Sequence, residues 1–162
     1  MLPFNPLNAR FQNSASMNQD LSQWPLSQVR DTGAMFHRAN SFNSAIAAWD
    51  VSKVQNATSM FHYAFRFNQP LSQWDTSSMV YTRFMFSHSG FNQDISSWDV
   101  SGIADMTGMF NHAVNFQQDL CKWGSLLSKT TVVMDMFKST ACPNSDDPDL
   151  SAFPPGPFCF DC

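Results

Sequence analysis

Three sets of polar residues in this 162-residue chain have types and spacings that could do chemistry. Asp50, Asp75 and Asp99 each follow a tryptophan, and Ser52, Ser77 and Ser101 stand two residues further on, with Ser27 at the same place in an earlier copy. If the copies stack like neighbouring strands, about 4.8 Å apart, such carboxylates repel one another unless something neutralises them. One reading is therefore a cation site, calcium above all, or an acidic stripe for a basic partner. The preferred reading is that each Asp caps backbone N–H groups at a bend of its own copy. The four histidines form two pairs, His37 with His62 and His88 with His112, which stacking could turn into a metal site through neutral imidazole. No carboxylate or cysteine recurs beside them, so the preferred reading is a solvated edge.

All four cysteines, Cys121, Cys142, Cys159 and Cys162, lie in the last third. An even count held in a short segment points to two disulfides and an oxidising compartment. Three connectivities are open; the favoured one joins Cys121 to Cys142 and Cys159 to Cys162. Zinc competes, since Cys-x-x-Cys is half of a common site, but the other two cysteines form no second close pair. Asn56-Ala57-Thr58 is a glycosylation sequon, meaningful if the protein is secreted from a eukaryote.

Nothing points to catalysis. The chain has no Gly-rich phosphate loop, no Gly-x-Ser-x-Gly elbow and no His-Glu-x-x-His, and it contains no glutamate. No cofactor or metal is expected. A net charge of −4 with scattered basic residues argues against nucleic acid. No apolar run approaches the roughly 20 residues that span a bilayer.

What must position these columns is a repeat. Trp24, Trp49, Trp74, Trp98 and Trp123 stand 25, 25, 24 and 25 residues apart. Three residues before each is Leu or Ile (Leu21, Ile46, Leu71, Ile95, Leu120), and six before is Asn or Gln (Asn18, Asn43, Asn68, Asn92, Gln117). Eleven residues after the first four tryptophans comes a Met-Phe pair, and ten of the sixteen phenylalanines fall in two columns of the repeat. No single copy can bury its own apolar groups, but stacked copies make one core. The alternation in Trp49-Asp50-Val51-Ser52 predicts a short strand, with Trp and Val inward. The spacing of Ile103, Met106, Met109-Phe110 and Ala113 predicts a short helical segment. The Phe-Asn-Gln segment is expected to turn, its Asn bonding backbone groups left open at the bend.

Segments such as Phe91-Asn92-Gln93-Asp94-Ile95-Ser96-Ser97-Trp98-Asp99-Val100-Ser101, followed by Asp105-Met106-Thr107-Gly108-Met109-Phe110, resemble the BspA-like leucine-rich-repeat family, a mycoplasma-type surface-lipoprotein repeat of unknown function. The resemblance covers roughly residues 10–142. It implies a leucine-rich-repeat-like solenoid and a surface or secreted context, and it brings no binding residues with it.

The expected architecture is thus a right-handed repeat solenoid of about five 25-residue coils, each a short strand plus a short helical segment. Residues 1–16 form a partial N-terminal coil, 17–137 the five repeats, and the Pro-rich 138–162 a disulfide-held C-terminal cap. Phe4 and Leu7 are expected at helix-side apolar positions, and the edge carrying Leu21, Trp24 and Leu26 is open unless residues 1–9 or a partner cover it. The functional expectation is a non-catalytic binding module that meets a protein or glycan at a cell surface or in an oxidising compartment. The alternatives are a structural subunit of a larger assembly and a polysaccharide or mineral binder using the Asp and Ser columns.

Overall fold

A computed structural model describes residues 9–162; the expectations for Phe4 and Leu7 fall outside that range. Successive copies of the repeat lie on one another in parallel register, joined through Asp31–Asn56–Tyr81–Asp105–Val132. Beside this line, the amides of Ala34, Phe36 and Arg38 donate to the carbonyls of Thr58, Met60 and His62 in the next layer, at 2.8, 2.9 and 2.8 Å. The amides in between, of Met35, His37 and Ala39, turn back to the carbonyls of Thr32, Ala34 and Phe36.

This alternation differs from the helical segment read from the sequence. An α-helix uses every N–H on the carbonyl four residues back, whereas here every second N–H leaves the layer. Two backbone positions per layer are left-handed: Ala34, Ser59, Phe84, Gly108 and Asp135 at φ between 51° and 60°, then Arg38, Tyr63, His88, His112 and Ser139 between 53° and 59°. A left-handed residue every four positions interrupts any helix, yet overlapping turns still bring Met35, Phe36 and Ala39 to one buried side.

The expected strand is likewise a pair of turns. Trp49 N–H closes on Ile46, and Val54 N–H closes on Val51. The inward–outward alternation survives, with Trp49 and Val51 buried and Asp50 exposed. Among the described residues the one helix is a 3₁₀ turn, Cys121–Ser125.

The core is aromatic and in register. Phe36, Phe61, Phe86, Phe110 and Phe137 stack at centroid distances of 5.6, 5.6, 5.7 and 5.7 Å. Within layers, Phe36–Phe42 and Phe61–Phe67 each lie 3.9 Å apart. Trp49, Trp74 and Trp98 are only 4, 4 and 1 % exposed. Each indole N–H donates to the preceding layer's Leu or Ile carbonyl: Trp49 to Leu21 at 2.8 Å, Trp74 to Ile46 at 3.1 Å, Trp98 to Leu71 at 2.9 Å. In these three layers the indole gains a hydrogen bond that a phenylalanine ring could not make. The Asn column forms a ladder, the side-chain oxygens of Asn18, Asn43, Asn68 and Asn92 accepting the amides of Asn43, Asn68, Asn92 and Gln117.

The tail folds back over the last layer. Phe158 is fully buried and its carbonyl accepts Leu120 N–H. Gly124 lets it approach, since a Cβ there would lie 3.0 Å from the Pro155 carbonyl oxygen. Asp147 supplies the acceptor for Met136 N–H at 3.2 Å. The disulfides are Cys121–Cys162 and Cys142–Cys159, with Cα–Cα distances of 5.5 and 4.8 Å. This corrects the pairing favoured from sequence. Asn144 N–H bonds the Cys159 carbonyl, which sets Cys159 beside Cys142 and carries the chain end across to Cys121.

Candidate functional site

The Asp column is a column of closed turns. In Asp50, Asp75 and Asp99, Oδ1 accepts both the N–H and the hydroxyl of the Ser two residues on, at 3.2 and 2.6 Å, 3.1 and 2.6 Å, and 3.0 and 2.7 Å. Those hydroxyl bonds, and then the amide bonds, hold the carboxyls of Asp50 and Asp99 below the usual range. Each carboxylate thus serves its own layer, as backbone caps do. Asp149 with Ser151 repeats the device in the cap. The same side-chain-to-amide turn recurs at two other corners, as in Asp94–Ser96 and Asp105–Thr107. Replacing Asp75 with Ala is expected to lower the melting temperature, while Asp75→Asn, which keeps the acceptor, leaves it nearly unchanged. Added calcium is expected to shift neither, since a stabilising ligand must prefer the folded state.

Asn56 is similarly occupied. Its Oδ1 accepts Thr58 N–H at 3.0 Å, and its Nδ2 donates to Asp31 Oδ1 at 3.1 Å in the preceding layer. A glycan there would replace one of the two hydrogens on that nitrogen and leave the other for Asp31.

The histidines form one file. His37 stacks on His62 at 5.0 Å and 9°, and His88 on His112 at 4.6 Å and 1°. Tyr63 joins the pairs, lying 4.3 Å from His62 and 4.4 Å from His88, with the Arg38 guanidinium 5.5 Å from its ring centre. Sequence reading found two pairs but missed the join. The signal was available: Tyr63 occupies the same repeat position as His88 and His112.

Among the described residues no carboxylate hydrogen-bonds these rings; the partners of His37, His88 and His112 are Gln12, Ser87 and Asn111. Burial, helped by the neighbouring His37, His88 and Arg38, holds the His62 pKa at about 4. Burial first, then Arg38 for His37 and His112 for His88, lowers the other two. An unfolded chain takes up these protons near pH 6.5, where folded His62 still refuses one. Stability from neutral His62 is therefore complete above about pH 6.5 and is lost as pH falls toward about 4. Melting temperature is expected to drop across that window, with a shallower slope in His62→Gln. The lowered carboxyls of Asp50 and Asp99 begin to lose their contribution only below about pH 5, so the upper part of the window belongs to the histidines.

At the junction with the cap, an open depression of about 290 Å³ is lined by Asp94, Ser96, Gln118, Asp119, Cys121 and Lys122. Its two carboxylates are tied to the amides of Ser96 and Cys121.

Among the described residues no group of three or more His, Cys, Asp or Glu side chains is placed to hold a metal ion, and no helix is long and apolar enough to cross a membrane. Two disulfides are compatible with an oxidising or extracellular compartment. No curated protein and no solved structure matches the chain. A protein family does, over residues 5–123 and again over 48–150, the overlap falling on the in-register copies described above. The chain accordingly belongs to the family described as Mycoplasma protein of unknown function, DUF285.

Proposed function

We propose that the chain is a leucine-rich-repeat-like solenoid of the BspA-like kind, acting as a non-catalytic binding module for a protein or glycan at a cell surface or in an oxidising compartment. The observation that carries this reading is the regular backbone bonding from layer to layer, which repeats one rigid polar surface along the stack. The chemistry-bearing side chains are engaged within the fold, the aspartates as caps and Asn56 in its bond to Asp31.

A second reading, a structural subunit of a larger assembly, is favoured by the exposure of Phe65, Tyr81, Val114, Met134 and Phe153. Light scattering at neutral pH separates the two: a stable monomer supports the binding module, and insolubility of the isolated chain supports the subunit. Screening the monomer against arrayed glycans and cell-surface ectodomains then tests the binding role. A monomer that retains none of them would overturn it.

A further inference from the structure

The two disulfides sit in unlike surroundings. Cys142–Cys159 faces inward: Cys159 is fully buried beside Phe158, and Cys142 packs against the core. Cys121–Cys162 faces outward: Cys162 is exposed and Cys121 half-buried. Cys121 also forms part of the wall of the open depression of about 290 Å³ at the junction with the cap. Thiol–disulfide exchange needs a thiolate in contact with one sulfur and a second sulfur able to depart as thiolate. The outer bridge offers both, since the depression leads a small molecule to Cys121 and water surrounds the departing Cys162. At the inner bridge burial of Cys159 denies contact and disfavours a thiolate.

We propose that Cys121 is a reversible thiolation site, which takes up a small thiol through the depression as a mixed disulfide while Cys142–Cys159 stays closed. The thiol gives up its proton to water, and its sulfur attacks Cys121 Sγ. The new sulfur–sulfur bond forms as the bond to Cys162 breaks. The electron pair leaves on Cys162 Sγ, which takes a proton back from water. One disulfide and one thiol become another disulfide and another thiol, so no oxidant or reductant is consumed.

The freed Cys162 stays close. Asn144 Nδ2 donates to Asp161 Oδ1 at 2.9 Å, Phe158 N–H donates to the Phe160 carbonyl at 3.1 Å, and Cys142–Cys159 fixes the root of the segment. Held there, Cys162 competes with free thiol at high effective concentration. Its thiolate attacks Cys121 Sγ, expels the small thiol and restores the bridge. Occupancy of Cys121 therefore follows the thiol concentration outside. The buried part of the cap, Phe158 with its bond from Leu120 N–H, precedes Cys159 and takes no part in the exchange. This goes beyond the proposed binding role and does not depend on it, because it uses only the placement of four sulfurs.

The test treats the folded chain with 2-mercaptoethanol at about pH 8, where an ordinary thiol is partly ionised. Early samples are quenched in acid, free thiols are blocked with a maleimide, and peptide masses locate each group. The adduct is expected on Cys121 and the maleimide on Cys162. The outer bridge is expected to open about tenfold faster than Cys142–Cys159 or more. In urea, where the depression and the burial are gone, that preference is expected to vanish. Removing free thiol at about pH 8 is expected to return the wild type to its starting mass, whereas Cys162→Ser, loaded at Cys121 with the same adduct, keeps it. The proposal would be overturned by an adduct first found on Cys162, or by equal or reversed opening of the two bridges in the folded chain. A preference that persists in urea, or a wild-type adduct that survives removal of the thiol, would overturn it as well.

Discussion

Replacing Trp98 with alanine is expected to lower the unfolding free energy by about 3–5 kcal/mol, the range of large aromatic truncations in a packed core. The indole is 1 % exposed, stacks 6.2 Å from Trp74, and donates to the Leu71 carbonyl. The variant therefore opens a cavity and removes one of the two hydrogen bonds that the Leu71 carbonyl accepts, the other coming from Trp74 N–H. Phenylalanine separates those losses. Trp98→Phe keeps most of the ring and loses only the indole bond, the Leu71 carbonyl still accepting Trp74 N–H, a net cost of about 0.5–1.5 kcal/mol. Trp123 supplies the control, because its Nε1 is buried with no hydrogen-bond partner. Trp123→Phe removes no bond and is expected to cost less than Trp98→Phe. Urea titrations at neutral pH on the four proteins measure both differences, and equal costs for the two Phe variants would remove the hydrogen bond from the account.

The second large effect is expected at the other end. Removing Cys142–Cys159 by paired serine substitution is expected to cost about 2–5 kcal/mol, as for native disulfides in small domains. The bridge closes 17 residues and includes the fully buried Cys159 beside Phe158. Coupling between layers acts on nearest neighbours, so amide exchange should accelerate in the cap and last layer while the Phe61 and Phe86 layers keep their protection. Intact mass supplies the companion check. Two bridges make the non-reduced chain four hydrogens lighter than the reduced one, and four alkylatable thiols in the native protein would contradict both.

Much of this was legible in the residues. A side chain that recurs in register has a similar place in every layer, so the Trp and Phe columns announced the buried rings and the Asn column announced bonds to backbone groups, though not that these run from layer to layer. The Asp caps were legible for the same reason, since Asp with Ser two residues on is a local motif that needs no tertiary knowledge. The turns were harder to see. Apolar residues three and four apart mark a buried side whether the backbone is an α-helix or a train of turns that bonds outward. What distinguishes the two is the left-handed columns, where Asn13, His88, His112, Gly108 and Asp135 are residue types enriched at positive φ. The disulfide pairing was not legible, because it depends on where a Pro-rich tail lies after Phe158 enters the core.

The line of bridges runs from Asp31 to Asn56, Tyr81, Asp105 and Val132, at offsets of 25, 25, 24 and 27 residues. The extra residues of the last offset are absorbed where the 3₁₀ turn Cys121–Ser125 leads into Leu126–Thr131, and Val132 still joins Asp105. Register is therefore kept by the bonded segment, while the corners carry the slack. Copy number is then a heritable variable: duplicating or losing one unit lengthens or shortens the molecule by a single step without a new interior. A lineage could tune reach by recombination between its own in-register units, and the tail that closes the stack would fit any outcome that keeps the last of them.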